Sequence, residues 1–188
     1  MYDPIRSRAL LALLLLATLL LATVAPAAAQ EAPPEQLSGE YRFVSGRRSI
    51  VQSVNEVCDA FDFVTRAFAR PILEDRNQPY ERVRLELDPD GARFTFGPWG
   101  PVHTRFGETR TFENERGEQV RVRQLRMGDR LVQFLTTDQG TRRNVIQASP
   151  DGRRLTVETL ITSPRLPVPL RYRLVFARAG RPSGLAAK

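Results

Sequence analysis

The chain has 188 residues, with 28 Lys and Arg against 21 Asp and Glu and a formal net charge of +7. A single Cys and a single His exclude an internal disulfide framework, a Cys-based zinc site and a His-cluster metal site. At 41% hydrophobic residues the composition is that of a folding chain and not of a disordered one.

Residues 1–8 carry Arg6 and Arg8, residues 9–24 are apolar and uncharged apart from Thr, and Ala27 and Ala29 are small residues where a signal peptidase reads. The apolar run is shorter than the roughly 20 residues that span a bilayer. We expect a secretory signal cleaved after Ala29 and a secreted or periplasmic protein. Removing those 29 residues, with two Arg and one Asp among them, leaves 159 residues and a net charge of +6. In an oxidising compartment the lone Cys58 is expected to be buried and inert. Residues 30–36 read as a polar linker, residues 37–178 as one domain and residues 179–188 as a flexible tail.

Within the domain, a first strand is expected around Glu-Tyr-Arg-Phe-Val at residues 40–44. Helical period follows: Ile50, Val54, Val57, Phe61, Val64 and Phe68 are spaced 4, 3, 4, 3, 4, which places them on one stripe. Ser49 is the expected N-cap, and Pro71 should end this helix and open a second short one over residues 71–76. On the polar face Glu56, Asp59 and Asp62 cluster. A divalent-cation site there is conceivable, but no ligand loop accompanies them, so a solvated face is expected.

From Tyr80 onward the pattern changes to period two. Val83, Leu85 and Leu87 alternate with Arg82, Arg84 and Glu86, and similar alternation recurs at residues 92–96, 120–123, 155–157 and 170–176. One apolar face per strand argues antiparallel pairing over a core. Asp88-Pro89-Asp90-Gly91 and Ser149-Pro150-Asp151-Gly152 are tight-turn sequences, and glycines 117, 128, 140 and 152 recur every 11 or 12 residues. The fold class expected is all-β, an antiparallel up-and-down barrel of about ten strands with a helix pair after the first.

This element order resembles the fatty-acid-binding-protein layout within the calycin (lipocalin-like) superfamily, over nearly all of residues 37–178. Gly39-x-Tyr41 is similar to the Gly-x-Trp opening of lipocalins, with Tyr in place of Trp. The resemblance implies a cavity under a helical lid. The family's inward Arg-x-Tyr pair is not matched, because in Arg171-Tyr172-Arg173 the adjacent Arg171 and Tyr172 face opposite ways.

Candidate ligand contacts follow from parity and position. Phe94, Phe96 and Tyr172 lie on apolar strand faces, Phe61 and Phe68 on the helical stripe. Arg126 shares the parity of Val120, Val122 and Gln124, so it continues an inward face where a ligand anion could meet it. Other arginines (82, 84, 93, 121, 123, 171 and 173) alternate outward. No nucleophile–base pair accompanies His103, no metal constellation appears and no cofactor is implied. The expected function is an exported, non-enzymatic binder of a small apolar or amphipathic ligand of the lipid or fatty-acid class. The expected protein is monomeric, without a nucleic-acid partner, and able to meet an anionic membrane surface through its arginines. The alternative is a cavity-less envelope or extracellular interaction module using that Arg-rich exterior.

Overall fold

Strict alternation of apolar and charged residues makes each strand two-faced, and hairpin turns then force neighbours to pair antiparallel with their apolar faces together. In the computed structural model, which describes residues 37–96, 100–114 and 117–180, this builds one ten-stranded sheet. The elements are β1 (Gly39–Ser45), α1 (Arg47–Asp59), α2 (Phe63–Arg76), β2 (Arg82–Leu87), β3 (Gly91–Phe96), β4 (Val102–Arg105), β5 (Thr109–Glu113), β6 (Gln119–Met127), β7 (Arg130–Thr137), β8 (Gly140–Ala148), β9 (Arg154–Thr162) and β10 (Leu170–Arg178). The expected leader and linker, and residues 181–188 of the expected tail, lie outside the described residues.

The strand order is β4-β3-β2-β1-β10-β9-β8-β7-β6-β5, so the first strand pairs with the last and the sheet curls into a nearly closed antiparallel barrel. The seam lies between β4 and β5. It is pinned where Phe106 bridges Gln124 and the Gly107 N–H donates to the Gln124 carbonyl at 2.8 Å. The turns at Asp88 and Ser149 form as their sequences dictate: Gly152 takes a positive φ of 65° and its N–H donates to the Ser149 carbonyl.

The barrel interior holds the main core. Tyr41, Leu85, Phe94, Leu131, Leu155 and Phe176 are among its fully buried members, and α1 adds Ile50, Val54, Val57 and Cys58. Cys58 is free and fully buried. Outward arginines make cross-strand or neighbouring ion pairs, as Arg82 does with Glu40 and Arg93 with Glu86. Such exposed pairs contribute little to stability.

The helical region departs from the expectation. One stripe from Ile50 to Phe68 is not one helix: α1 ends at Asp59, and Asp62 starts a new helix by accepting from the Val64 and Thr65 N–H groups at 3.0 Å. Pro71 falls inside α2 and does not open a helix. Ser49 is not a cap either. It sits within α1, whose N-cap is Gly46, and its hydroxyl accepts from the Arg173 N–H at 3.1 Å. Ser53 does the same for the Arg171 N–H at 2.8 Å.

Those two bonds have a topological cause. β1 pairs with β10 only from Val175 to Arg178, leaving the first half of β10 without a strand on that side. Two serines one helical turn apart on α1 supply the missing acceptors, so the helix completes the sheet edge. Gly46 lets the chain turn there. Its φ is 127°, and a Cβ would stand 2.4 Å from the Arg173 carbonyl oxygen.

Candidate functional site

Parity within the pairings assigns each side chain to the inside or outside of the barrel. Gln124 is the register partner of Gln133, Gln133 of Asn144, Asn144 of Thr159, and Thr159 of Tyr172. All five are buried, so one row of polar side chains crosses five strands inside an otherwise apolar barrel. Burying a polar group costs free energy unless it is hydrogen-bonded, so the row must account for its donors and acceptors.

It does so only in part. The Thr159 hydroxyl donates to Asn144 Oδ1 and Asn144 Nδ2 donates to Gln133 Oε1, both at 3.0 Å. The Tyr172 hydroxyl donates to Asn77 Oδ1 at 3.3 Å, and Arg142 donates to the same oxygen at 3.1 Å. Asn77 follows α2 and is itself buried, its amide donating to the Leu73 carbonyl at 2.7 Å. At the other end the bonding stops. Among the described residues Gln124 Oε1 and Gln133 Nε2 have no hydrogen-bond partner, nor does the hydroxyl of buried Thr104 on β4.

Beneath the segment after α2 lies a cleft of about 30 Å³. Phe96, Leu174 and Phe176 form apolar walls, and Arg142, Asn144 and Tyr172 bring polar groups to it. A larger groove of about 310 Å³ lies outside, over β8 to β10, with Arg143, Glu158, Arg171 and Arg173 on the strands and Ser49 of α1 beside them.

The candidate ligand residues separate accordingly. Phe96 and Tyr172 line the interior cleft. Phe94 is fully buried behind Phe96, their rings stacked 4.0 Å apart. Phe61, in the link between the helices, packs partly buried against the core. Phe68 does not join it: with α2 rotated off the α1 stripe, Phe68 is 70% exposed, in company with Phe63, Val64 and Ile72. Arg126 keeps its inward parity opposite Leu131 but lies exposed at the strand end.

The remaining titratable groups have structural duties. Tyr41 donates to the Leu37 carbonyl at 3.0 Å and accepts from Arg178 Nη2 at 2.9 Å, with the guanidinium also over its ring. Burial pushes the Tyr41 phenol above its ordinary value, and Arg178 opposes that shift. His103 Nε2 lies 3.4 Å from Asp88 Oδ2. For Asp88, partial desolvation pushes upward but is outweighed by hydrogen bonds from the Asp90 and Gly91 backbone and from His103, and the carboxyl is held below its usual range. Of the acidic cluster, Glu56 accepts from Gln52, Asp59 pairs with Arg66, and Asp62 caps α2. Thr65 and neighbouring N–H groups hold the Asp62 carboxyl low. Among the described residues no group of three or more His, Cys, Asp or Glu could hold a metal ion, and no helix is long and apolar enough to cross a membrane.

The sequence reading missed the row because its members sit on different strands, and only register brings them together. Two members carried a signal: Gln124, through its shared parity with Val120 and Val122, and Tyr172, on the apolar face of its strand.

The barrel, its strand order and its helix pair define the fold of fatty-acid-binding proteins and lipocalin-like calycins. Among solved structures a fatty acid transporter matches with a TM-score of 0.50 at 11% identity, covering 78% of this chain and 98% of that one. A lipid binding protein of Caenorhabditis elegans matches with a TM-score of 0.50 at 10% identity, covering 77% and 96%. At these identities the likeness is one of fold. No protein-family model and no curated protein matches the chain.

Proposed function

We propose that the protein is an exported, non-enzymatic carrier that takes a small apolar or amphipathic molecule of the lipid class into its barrel. The observation that carries this reading is the interior cleft, where apolar walls at Phe96, Leu174 and Phe176 meet converging polar groups from Arg142, Asn144 and Tyr172. The lipid-binding names of the fold neighbours support it by analogy. At about 30 Å³ the cleft has room for little more than a water molecule, so uptake requires widening. α2 is the element displaced at least cost, since none of its residues is fully buried and Leu73 meets the core only in part. In this reading Phe96 and Tyr172 touch the ligand and Phe94 backs them. Phe61 closes the site from the helical side, Phe68 lies on the outer face of the displaced helix, and Arg126 meets a polar group of the ligand at the rim.

Native mass spectrometry of protein purified from its own host, with lipid extraction, tests the proposal. A bound lipid, or uptake of a fluorescent lipid, is the expected result. Purified protein that is empty and takes up no lipid probe would remove it.

The outer groove favours a second reading. Three arginines face a volume ten times that of the interior cleft, which suits an interaction module binding an acidic partner or anionic membrane surface. Salt-sensitive binding to anionic vesicles by protein that carries no lipid would select it.

A further inference from the structure

The unpaired end of the interior row has a definite chemical complement. Thr104, Gln124 and Gln133 are each fully buried, yet Thr104 Oγ1, Gln124 Oε1 and Gln133 Nε2 have no hydrogen-bond partner among the described residues. Thr104 and Gln124 are linked across the barrel seam through Ala92, and Gln133 stands next to Gln124 in the row. Thr104 is the register partner of Ala92, whose carbonyl accepts from Gln124 Nε2 at 3.3 Å. Gln124 is in turn the register partner of Gln133. Orphaned buried polar atoms are rare in folded proteins, and three on linked register positions call for a partner.

What fills it must satisfy fixed polarity. A backbone carbonyl only accepts, so Ala92 holds the Gln124 amide with its NH₂ toward β3 and leaves the buried oxygen as the unpartnered atom. That oxygen therefore requires a donor. Gln133 Nε2 offers a hydrogen in return, because Asn144 already occupies Gln133 Oε1. A hydroxyl or a primary amide both donates and accepts, and can answer both glutamines. A carboxylate has no hydrogen to give, and it would set its charge against the Gln124 oxygen with no fully buried cation in the row.

Resting on the carrier reading above, we infer that the barrel selects ligands bearing an uncharged hydrogen-bonding group, a hydroxyl or amide. That group would be held by Thr104, Gln124 and Gln133 at the seam, and fatty carboxylates would be disfavoured.

The test compares dodecanol, dodecanamide and dodecanoate binding to the full-length protein at pH 8 by native mass spectrometry titration. The alcohol and the amide are expected to bind about tenfold more tightly than the carboxylate, the scale of one well-made buried hydrogen bond. Gln124→Leu should bring that ratio close to one. Thr104→Val, which breaks no hydrogen bond of the empty protein, keeps the test open if Gln124→Leu fails to fold. It should narrow the ratio while leaving the urea midpoint unchanged or raised. Failure of all three probes to bind would overturn the carrier reading itself. Equal binding of alcohol and carboxylate, unaffected by Thr104→Val, would leave the carrier reading standing and overturn this one. A lowered midpoint in Thr104→Val with no change in ratio would mean that the atoms serve buried water only, and would overturn it as well.

Discussion

Replacing Ser53 by Ala tests whether α1 is part of the β-sheet. Ser53 is buried, and its hydroxyl accepts from the Arg171 N–H at 2.8 Å, on the side of β10 that β1 does not reach. Alanine leaves that partly buried N–H without an acceptor, a loss of about 1–3 kcal/mol. It also gains about 0.5 kcal/mol of helix propensity, so the net cost should be about 1–2 kcal/mol. Ser49→Ala is the internal reference. Its bond to the Arg173 N–H is exposed and 3.1 Å long, so water replaces the hydroxyl and the propensity gain cancels what little is lost. With a urea slope of about 2 kcal/mol/M, Ser53→Ala should lower the midpoint by about 0.5–1 M at constant slope, and Ser49→Ala hardly at all. Amide hydrogen exchange gives the local readout: Arg171 should lose protection in Ser53→Ala, and Arg173 in Ser49→Ala. If Ser53→Ala keeps the wild-type midpoint and a protected Arg171 amide, the helix hydroxyls do not replace a strand and the account of the β10 edge is wrong.

Two further outcomes follow from the geometry. Tyr41→Phe should cost about 1–2 kcal/mol, because it strips the Leu37 carbonyl of its donor while Arg178 keeps the Ser38 and Gly152 carbonyls. Since the folded phenol titrates above its ordinary value near 10, its contribution is complete below that pH and declines as pH rises through the folded value. Wild type should therefore lose stability above about pH 10 more steeply than Tyr41→Phe in alkaline unfolding scans. Asn77→Ala should release α2, since Asn77 Oδ1 receives both the Tyr172 hydroxyl and Arg142. Faster exchange confined to α2 and faster uptake of a fluorescent lipid are expected, whereas a uniform loss of protection would show that Asn77 holds the whole fold.

Most of the architecture was legible because strands advertise themselves locally. Val83, Leu85 and Leu87 against Arg82, Arg84 and Glu86 state which face is buried, and Asp88-Pro89-Asp90-Gly91 states where the chain reverses. The helix break was written in the sequence too, but in a signal that two readings share. Asp62 continues a polar face at three-residue spacing after Asp59, and it is equally an N-cap placed before Val64 and Thr65. The second won because its carboxylate satisfies the orphan N–H groups of a new helix, while a continuous helix offers it only solvent. Phe68 then leaves the stripe. The polar row was beyond local reading altogether, since Gln133 between Val132 and Phe134 announces no face until its pairing with Gln124 and Asn144 is known.

The two helices follow each other in the chain but differ in what depends on them. α1 places Ile50, Val54, Val57 and Cys58 in the core and satisfies the edge of β10, so displacing it would strip apolar area from the barrel and orphan strand amides together. α2 has no fully buried residue: Leu73 packs against the core only in part, and Arg142 ties the end of the helix to the barrel through the Arg76 carbonyl and the Asn77 side chain. Opening at the seam instead would break the Gly107 to Gln124 backbone bond and uncover the edges of β4 and β5, the end strands of the sheet. A ligand entering the barrel therefore meets least resistance on the α2 side, beside Tyr172. It would reach the unpartnered Gln133 Nε2 and Gln124 Oε1 by travelling along the polar row, from Tyr172 past Thr159 and Asn144 to Gln133.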